Sequence, residues 1–321
     1  MDNLCHTLAG AALAESGLAR RTAMGYATLL IAANLPDIDV LSYLNGPEAA
    51  LYWRRGWTHG IVALVVLPLL LALALLLLET ISRKLSSAVL PSRMRPGQIL
   101  LLAYAGMLSH PLLDTLNTYG VHWLLPWSRQ WTYGDALFIV DPWIILVLGL
   151  GVWASRTQRH SRQRNVTPER PARLALAVTL AYIVAMLGSS RAAEQAAARE
   201  LQARFPGTIQ RVMAAPVFLN PLRRDVVVQQ GDLYRTARFD WLHQPHIAPA
   251  SVQSFPAIPP SNPAVARAAA SLRGREFLSW ARFPVFVMDS GAGGTAVRIL
   301  DLRYARTPEA RFGVLTLSAD R

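Results

Sequence analysis

An apolar run at residues 61–78 constrains the fold more than any other feature of the sequence. Its 18 residues carry no charge and are interrupted only by Pro68. A helix needs about 20 apolar residues, at 1.5 Å rise per residue, to cross the hydrocarbon core of a bilayer. The run therefore predicts a membrane-spanning helix.

Further apolar segments extend this prediction to a polytopic helical bundle. Only 16% of the residues are charged, against about 25% in soluble domains, and the deficit lies in residues 1–190. Two N-terminal segments, 4–18 and 22–35, are short for a full span, so they predict either two weak spans or a re-entrant hairpin. The other apolar segments are 99–116 and 137–154, with 18 residues each, and the shorter 174–188.

Basic residues are distributed unequally between two sets of connections. Residues 20–21, 79–95 and 155–173 together carry twelve Lys and Arg, whereas 36–60 and 117–136 together carry three. Because short basic loops stay in the cytoplasm, the other two connections are expected on the outer side. The net charge of +12 follows largely from such arginines, and no nucleic-acid partner is expected.

The strongest chemical signal lies inside an apolar segment. His110 and Asp114 are four residues apart, which places both on one face of a helix. Ionisable groups within a membrane segment are costly and are functional candidates by default. Imidazole and carboxylate are ligands for Zn²⁺ or Mn²⁺, although a hydrogen-bonded pair joining two helices is the structural alternative. Cys5 is the only cysteine, which excludes a cysteine-rich zinc site.

Other candidate ligands are predicted at the same membrane face. Asp37 and Asp39 follow Pro36, which favours a turn, and His59 directly precedes the longest apolar run. A solvated loop is the alternative for the two carboxylates, and an interfacial packing role is the alternative for His59. His6 near the N-terminus is expected on this outer side as well. Three histidines and at least three aspartates at one depth suit one or two metal ions.

Two further aspartates and two arginines complete the predicted site. Asp135 and Asp141 flank another apolar run, and either is predicted as a general base or as a residue that orients a ligand. For Asp141 a helix N-cap is an equal alternative. Arg54 and Arg55 are predicted to bind a phosphate at the mouth of the site.

The chain resembles the YdjM-like inner-membrane metal-dependent hydrolase family, strongly over about the first 145 residues and more loosely beyond them. The resemblance implies an inner-membrane location and metal-ligand roles for His6, Asp37, Asp39, His59, His110 and Asp114. It also implies a distant relation to the zinc-dependent phospholipase C and single-strand nuclease superfamily, whose metal clusters cleave phosphoester bonds. The matching segments are 2–10, 34–39, 55–59, 110–120 and 133–143.

Residues 191–321 are predicted to form a small α+β domain on the outer, extracytoplasmic side, following the mainly α membrane domain of residues 1–190. An alanine-rich helix is expected at 191–205 and a short helix near 265–280, with a proline-rich linker at 244–263. Two β-hairpins are expected, at 225–240 and 283–304.

The sequence as a whole predicts a membrane-embedded, metal-dependent hydrolase of a phosphoester-containing amphiphile such as a membrane lipid. Zinc is the expected metal, with manganese or magnesium as alternatives. A metal or proton transporter would instead need ionisable residues along the whole path. A non-enzymatic scaffold with a purely structural metal would need a closed coordination sphere.

Overall fold

The apolar runs of the sequence correspond to helices in the computed structural model, which describes residues 1–85, 93–161, 167–291 and 294–318. Two arginines counted in the predicted cytoplasmic connections, Arg162 and Arg164, lie outside the described residues, as does part of the predicted turn at 290–294. The helices of the N-terminal region are α1 (Asn3–Glu15), α2 (Gly25–Asn34), α3 (Pro47–Trp53), α4 (Ile61–Leu85), α5 (Pro96–Thr115), α6 (Pro142–His160) and α7 (Arg170–Arg204).

Within the described residues, three helical segments are long and apolar enough to cross a membrane. They are α4, α7, and α2 together with the 3₁₀ helix Leu35–Asn45 that continues it. The apolar segment predicted at 137–154 becomes helical only at Pro142. Asp141 caps α6 by accepting hydrogen bonds from the backbone of Trp143 and Ile144, and proline suits the first helical position.

Small residues bring three helices into close contact in this membrane unit, which comprises residues 1–40 and 54–186. A Cβ added at Gly10 of α1 would lie 3.0 Å from the Leu29 carbonyl oxygen of α2, and one at Gly106 of α5 would lie 2.9 Å from the same atom. Membrane helices associate closely through such small residues. This packing holds α1, α2 and α5 together around Leu29.

A buried carboxylate joins α1 to α6 at the opposite end of α1. Glu15 is 2% exposed and accepts hydrogen bonds from Arg156 at 3.2 Å and Arg159 at 2.6 Å. Both basic residues belong to a connection that was predicted to be cytoplasmic. Glu15 is therefore a structural ion-pair partner.

The second compact unit comprises residues 187–321 together with residues 41–53. Its first antiparallel sheet has the order β1-β2-β3-β4, with β1 (Ile209–Val217), β2 (Asn220–Gln230), β3 (Leu233–Asp240) and β4 (Gln253–Pro256). Its second has the order β5-β6-β7, with β5 (Pro284–Gly291), β6 (Gly294–Asp301) and β7 (Val314–Ser318). The predicted antiparallel hairpins are confirmed as β2–β3 and β5–β6.

The core of this unit forms where α7 packs on the first sheet. The last two helices and the linker differ in part from the sequence prediction. The alanine-rich end of α7 packs Ala197 and Leu201 against Val228 and Phe239 of the first sheet. The helix predicted near 265–280 is two helices, α8 (Pro263–Ala270) and α9 (Leu272–Trp280). Ser271 separates them, because its hydroxyl accepts the Gly274 N–H at 3.0 Å as the N-cap of α9. Part of the predicted linker forms β4.

Candidate metal centre

Three histidines from separate elements of the membrane unit meet in its interior. His6 lies on α1, His110 lies on α5, and His59 lies in the turn that precedes α4; all three are fully buried. The rings of His6 and His110 are stacked with centroids 3.6 Å apart, and His59 meets His110 edge-on at 4.9 Å. The close packing at Gly10 and Gly106 explains how α1 and α5 bring these rings together.

The hydrogen-bond partners of two rings determine where their lone pairs point. His110 Nδ1 lies 2.7 Å from the Ala33 carbonyl oxygen, which can only accept, so this nitrogen carries hydrogen. His59 Nδ1 lies 2.9 Å from the Thr58 hydroxyl oxygen and 3.3 Å from an Asp39 carboxylate oxygen. The Thr58 hydroxyl donates its hydrogen to that carboxylate, so both neighbours accept from Nδ1, which carries the hydrogen when the ring is neutral. Each neutral ring therefore has its lone pair on Nε2.

These two lone pairs face each other. The Nε2 atoms of His59 and His110 are 3.1 Å apart, and neither can donate to the other while both rings are neutral. Two such lone pairs repel unless a cation lies against both. The arrangement matches metal-ligating histidines, which usually donate their other N–H to a carboxylate or carbonyl.

Asp114 lies at the centre of the cluster and is fully buried. One carboxylate oxygen is 3.2 Å from His6 Nε2, and the other is 3.3 Å from His59 Nε2 and 3.5 Å from His110 Nε2. The spacing of four residues from His110 thus places both groups at one site, as the sequence predicted. The Met1 amino nitrogen also contacts this carboxylate.

The two aspartates of the 3₁₀ helix have different positions. An oxygen of Asp37 lies 3.7 Å from His110 Nε2, and its other oxygen is buried without a hydrogen-bond partner in the described part of the chain. Asp39 instead lies behind His59, where it accepts the Arg55 backbone N–H at 2.8 Å and the Thr58 hydroxyl at 3.1 Å. Asp37 therefore faces the cluster and Asp39 orients His59.

Two sets of ligand atoms are close enough to share an ion. Within each set the nitrogen and oxygen atoms lie within 4.8 Å of one another, and every member is buried. Nitrogen and carboxylate oxygen donors of this kind suit zinc or manganese. The first set is His6, Asp37 and His110, and the second is His59, His110 and Asp114.

The two predicted substrate-binding arginines differ in exposure. Arg55 was placed at the mouth of the site by the sequence, yet it is 5% exposed. Its Nε is 3.0 Å from Asp114, and its Nη1 donates to the Asn117 side-chain oxygen at 2.9 Å. Arg54 retains about a quarter of its side-chain exposure and lies 3.4 Å from Asp37 and Asp39. Arg55 therefore compensates charge inside the cluster.

The remaining candidates lie outside the two ligand sets. Asp141 is the N-cap of α6, and its second oxygen is 3.3 Å from the Tyr182 hydroxyl. Asp135 is buried and has a left-handed backbone conformation with φ of 51°. His122 packs its ring 3.7 Å from Trp131, and burial lowers its pKa to about 4, so it is neutral at pH 7.

Besides the Met1 amino group, three contacts of this site were not assigned from the sequence. They come from the Ala33 carbonyl, the Thr58 hydroxyl and the Asn117 amide. Thr58 and Asn117 lie within the motifs quoted for the resemblance, so those motifs were the signal that could have identified the two residues. A backbone carbonyl such as that of Ala33 carries no side-chain signal, because any residue type supplies it.

The YdjM inner membrane protein family matches residues 1–193, which is more than half of the 321 residues. The chain belongs to this family. Comparisons with curated proteins and with solved structures found no match. The YdjM match covers every residue of the cluster and ends where α7 enters the C-terminal unit. The family resemblance drawn from the motifs is thus confirmed, and four of the five motifs, at 2–10, 34–39, 55–59 and 110–120, contribute to one buried group of histidines and aspartates.

Proposed function

We propose that this YdjM-family chain is a membrane-embedded, metal-dependent hydrolase of phosphoester-containing amphiphiles. The observation that carries the proposal is the pair of Nε2 lone pairs on His59 and His110, 3.1 Å apart and next to Asp114. A purely structural polar network would pair donors with acceptors. Here acceptor atoms converge, as they do around a cation.

The donor set fits a divalent metal, with zinc proposed first and manganese or magnesium as alternatives. His6, His59, His110, Asp37 and Asp114 would hold the ion or ions. The bound metal would lower the pKa of a water molecule and neutralise charge on a phosphoryl oxygen. Asp39 holds the His59 ring in place from behind, and such outer partners typically change metal affinity 10–100-fold.

The reaction proposed is hydrolysis of a phosphoester. The oxygen of water forms a bond to phosphorus while the bond from phosphorus to the ester oxygen breaks. A carboxylate takes the proton of the water, and the leaving alkoxide takes up a proton and departs as an alcohol. Arg54, which retains exposure, is the better placed of the two arginines to bind the phosphate, while Arg55 balances the charge of Asp114.

Asp135 and Asp141 are our proposals for the proton-accepting carboxylate. For Asp141 the cap and base roles can be separated, because Asn caps a helix about as well as Asp and has no basic carboxylate. We expect Asp141→Asn to keep its metal and lower turnover by about 10²–10⁴-fold. Normal turnover in this variant would leave Asp141 with the capping role alone.

Contacts at the other end of α1 favour hydrolysis over transport. A transporter needs ionisable groups along its whole path, and Glu15 was the candidate for the cytoplasmic half. Glu15 is held by Arg156 and Arg159, which makes it a structural ion pair. This observation supports a site that opens on one side.

The proposed orientation puts the metal cluster and the C-terminal domain on the outer side of the inner membrane. A cysteine introduced between residues 244 and 263, in a Cys5→Ser background, should react with a membrane-impermeant thiol reagent in intact cells. A cysteine in the basic connection 155–173 should not. The reverse labelling pattern would overturn the orientation.

The proposal as a whole is tested by hydrolysis in detergent. Purified protein, stripped of metal and reloaded with zinc, manganese or magnesium, would be assayed on a panel of phospholipids and simple phosphodiesters. We expect turnover that requires one of these metals and that His110→Ala abolishes. Failure of every metal-loaded sample to hydrolyse any substrate, combined with unfolding on chelation, would assign the metal a structural role.

A further inference from the structure

An apolar groove of about 360 Å³ lies between four helices of the membrane unit. This volume is within the range of small-ligand sites, about 300–1,000 Å³. Its floor includes the buried residues Ala9, Leu148 and Thr179, whereas Leu112 and Leu180 are more than half exposed. Its lining comes from α1, α5, α6 and α7 and also includes Leu13, Ser109, Leu113, Leu176 and Ile183.

The groove and the metal cluster use neighbouring residues of α1 and α5. His6, Ala9 and Leu13 are spaced i, i+3 and i+7, so they lie on one face of the helix. At 1.5 Å rise per residue, Ala9 and Leu13 are ~4.5 Å and ~10 Å along the axis from His6. On α5 the groove residues Ser109 and Leu113 directly precede His110 and Asp114 in the sequence. A molecule in the groove would therefore have one end close to the cluster.

One polar atom in the groove is left without a partner. The Thr179 side chain is 7% exposed, and its hydroxyl has no hydrogen-bond partner in the described part of the chain. The neighbouring Ser109 hydroxyl, by contrast, donates to the Gly106 carbonyl at 2.7 Å. An unsatisfied buried hydroxyl is costly, and a ligand with an acceptor group would remove that cost.

On α7, Thr179 lies between the groove residue Leu176 on one side and the groove residues Leu180 and Ile183 on the other. Tyr182 is one helical turn further along and its hydroxyl lies 3.3 Å from Asp141, the residue that caps the start of α6. Leu176, on the other side of Thr179, is apolar. Thr179 is therefore the single polar residue that α7 contributes to a groove lined elsewhere on this helix by leucine and isoleucine.

We infer that this groove binds an acyl chain of an ester-linked lipid, with the Thr179 hydroxyl donating to the ester carbonyl. The inference rests on the proposed function, because it identifies the amphiphile as an acyl ester whose phosphate would lie toward the cluster. The lining supplies hydrocarbon contacts along its length and one donor, which matches a carbonyl followed by a hydrocarbon chain.

The first test compares ester and ether lipids that are otherwise identical. Binding of a fluorescent diacyl phospholipid and of its dialkyl ether analogue would be measured on the full chain in detergent, with wild type and Thr179→Val. One hydrogen bond corresponds to about 3- to 10-fold in affinity. We expect Thr179→Val to weaken binding of the ester lipid by that factor and to leave the affinity for the ether lipid at its wild-type value. Equal effects on both lipids would overturn the role of the hydroxyl.

The second test fills the groove with a large side chain. Leu180→Trp places an indole in the groove, and Leu174→Trp is its matched control, because Leu174 is equally exposed on the same helix but does not line the groove. We expect Leu180→Trp to weaken binding of both lipids at least about 10-fold, and Leu174→Trp to leave it unchanged. Equal binding by the two variants would show that lipid binds elsewhere.

These binding measurements do not require catalysis, so they separate the inference from the proposed function. Selective loss of binding in Leu180→Trp, in a protein that hydrolyses nothing, would support the groove and reject the hydrolase. Metal-dependent hydrolysis with no effect of Leu180→Trp on lipid affinity would support the hydrolase and reject the groove.

Discussion

Two fully buried carboxylates, Asp114 in the membrane unit and Asp301 in the C-terminal unit, have opposite surroundings. Asp301 faces donors: the backbone N–H groups of Arg282, Phe283 and Arg303, and the Arg303 guanidinium at 2.7–2.8 Å. Asp114 meets the Arg55 guanidinium at 3.0 Å and the Met1 amino group. Its other close neighbours include the Nε2 atoms of three histidines.

The difference shows that burial and charge alone do not identify a functional carboxylate. Asp301 is satisfied by donors of the protein itself. Asp114 has the donors of Arg55 and Met1 beside it, but it also shares its space with at least two nitrogen lone pairs, which a bound cation would satisfy. The kind of atom opposite the carboxylate, donor or acceptor, separates a structural ion pair from a metal site.

The largest expected effect comes from removing ligands at Asp114 and His110. We expect Asp114→Asn and His110→Ala each to lose bound metal, as measured by metal analysis. Turnover, measured by hydrolysis, should fall by more than the 10–100-fold that is typical when a residue that hydrogen-bonds a metal ligand is removed. His122→Ala is the control, because His122 packs against Trp131 outside both ligand sets. Unchanged metal content in all three variants would remove Asp114 and His110 from the site.

Asp301 should give a large effect of a different kind. Removing one partner of a buried ion pair costs about 3–5 kcal/mol, since the other charge remains buried. We expect Asp301→Ala to lower the free energy of unfolding of the C-terminal unit by that amount, measured by thermal unfolding and limited proteolysis of the full chain, with bound metal unaffected. Metal loss in this variant would contradict the contrast between the two carboxylates.

Asp39 should give the smallest of the three effects. The sequence predicted a ligand, whereas the structure places Asp39 behind His59, where it orients the ring. We therefore expect Asp39→Asn to weaken metal affinity about 10–100-fold without abolishing binding, measured by titration with a metal-sensitive dye. Complete loss, equal to that of Asp114→Asn, would restore Asp39 as a direct ligand.

The sequence predicted part of this site because part of it is local. The i, i+4 spacing of His110 and Asp114 determines a shared helix face before any tertiary structure is known. The position of His59 against His110, and the Ala33 carbonyl that determines the His110 tautomer, depend on how α2, α4 and α5 pack. The burial of Arg55 depends on that packing as well, which explains why the sequence placed it at the mouth.

The fold shows the same division between local and long-range signals. The β2–β3 hairpin follows from the Gly231 turn and the alternation around it, so the sequence predicts it directly. Strand β4 lies in a proline-rich stretch and forms because its residues pair with β3. Ser271 separates α8 from α9 although the apolar pattern continues through it, because capping chemistry acts at a single residue.

The central claim is that a metal ion lies among His59, His110 and Asp114, and anomalous X-ray scattering from crystals of the zinc-loaded protein tests it most directly. Data collected on both sides of the zinc absorption edge should show a peak within bonding distance of the two Nε2 atoms and an Asp114 oxygen, about 2.0–2.2 Å. Absence of a peak there in zinc-loaded crystals, with the two rings still 3.1 Å apart, would contradict the account.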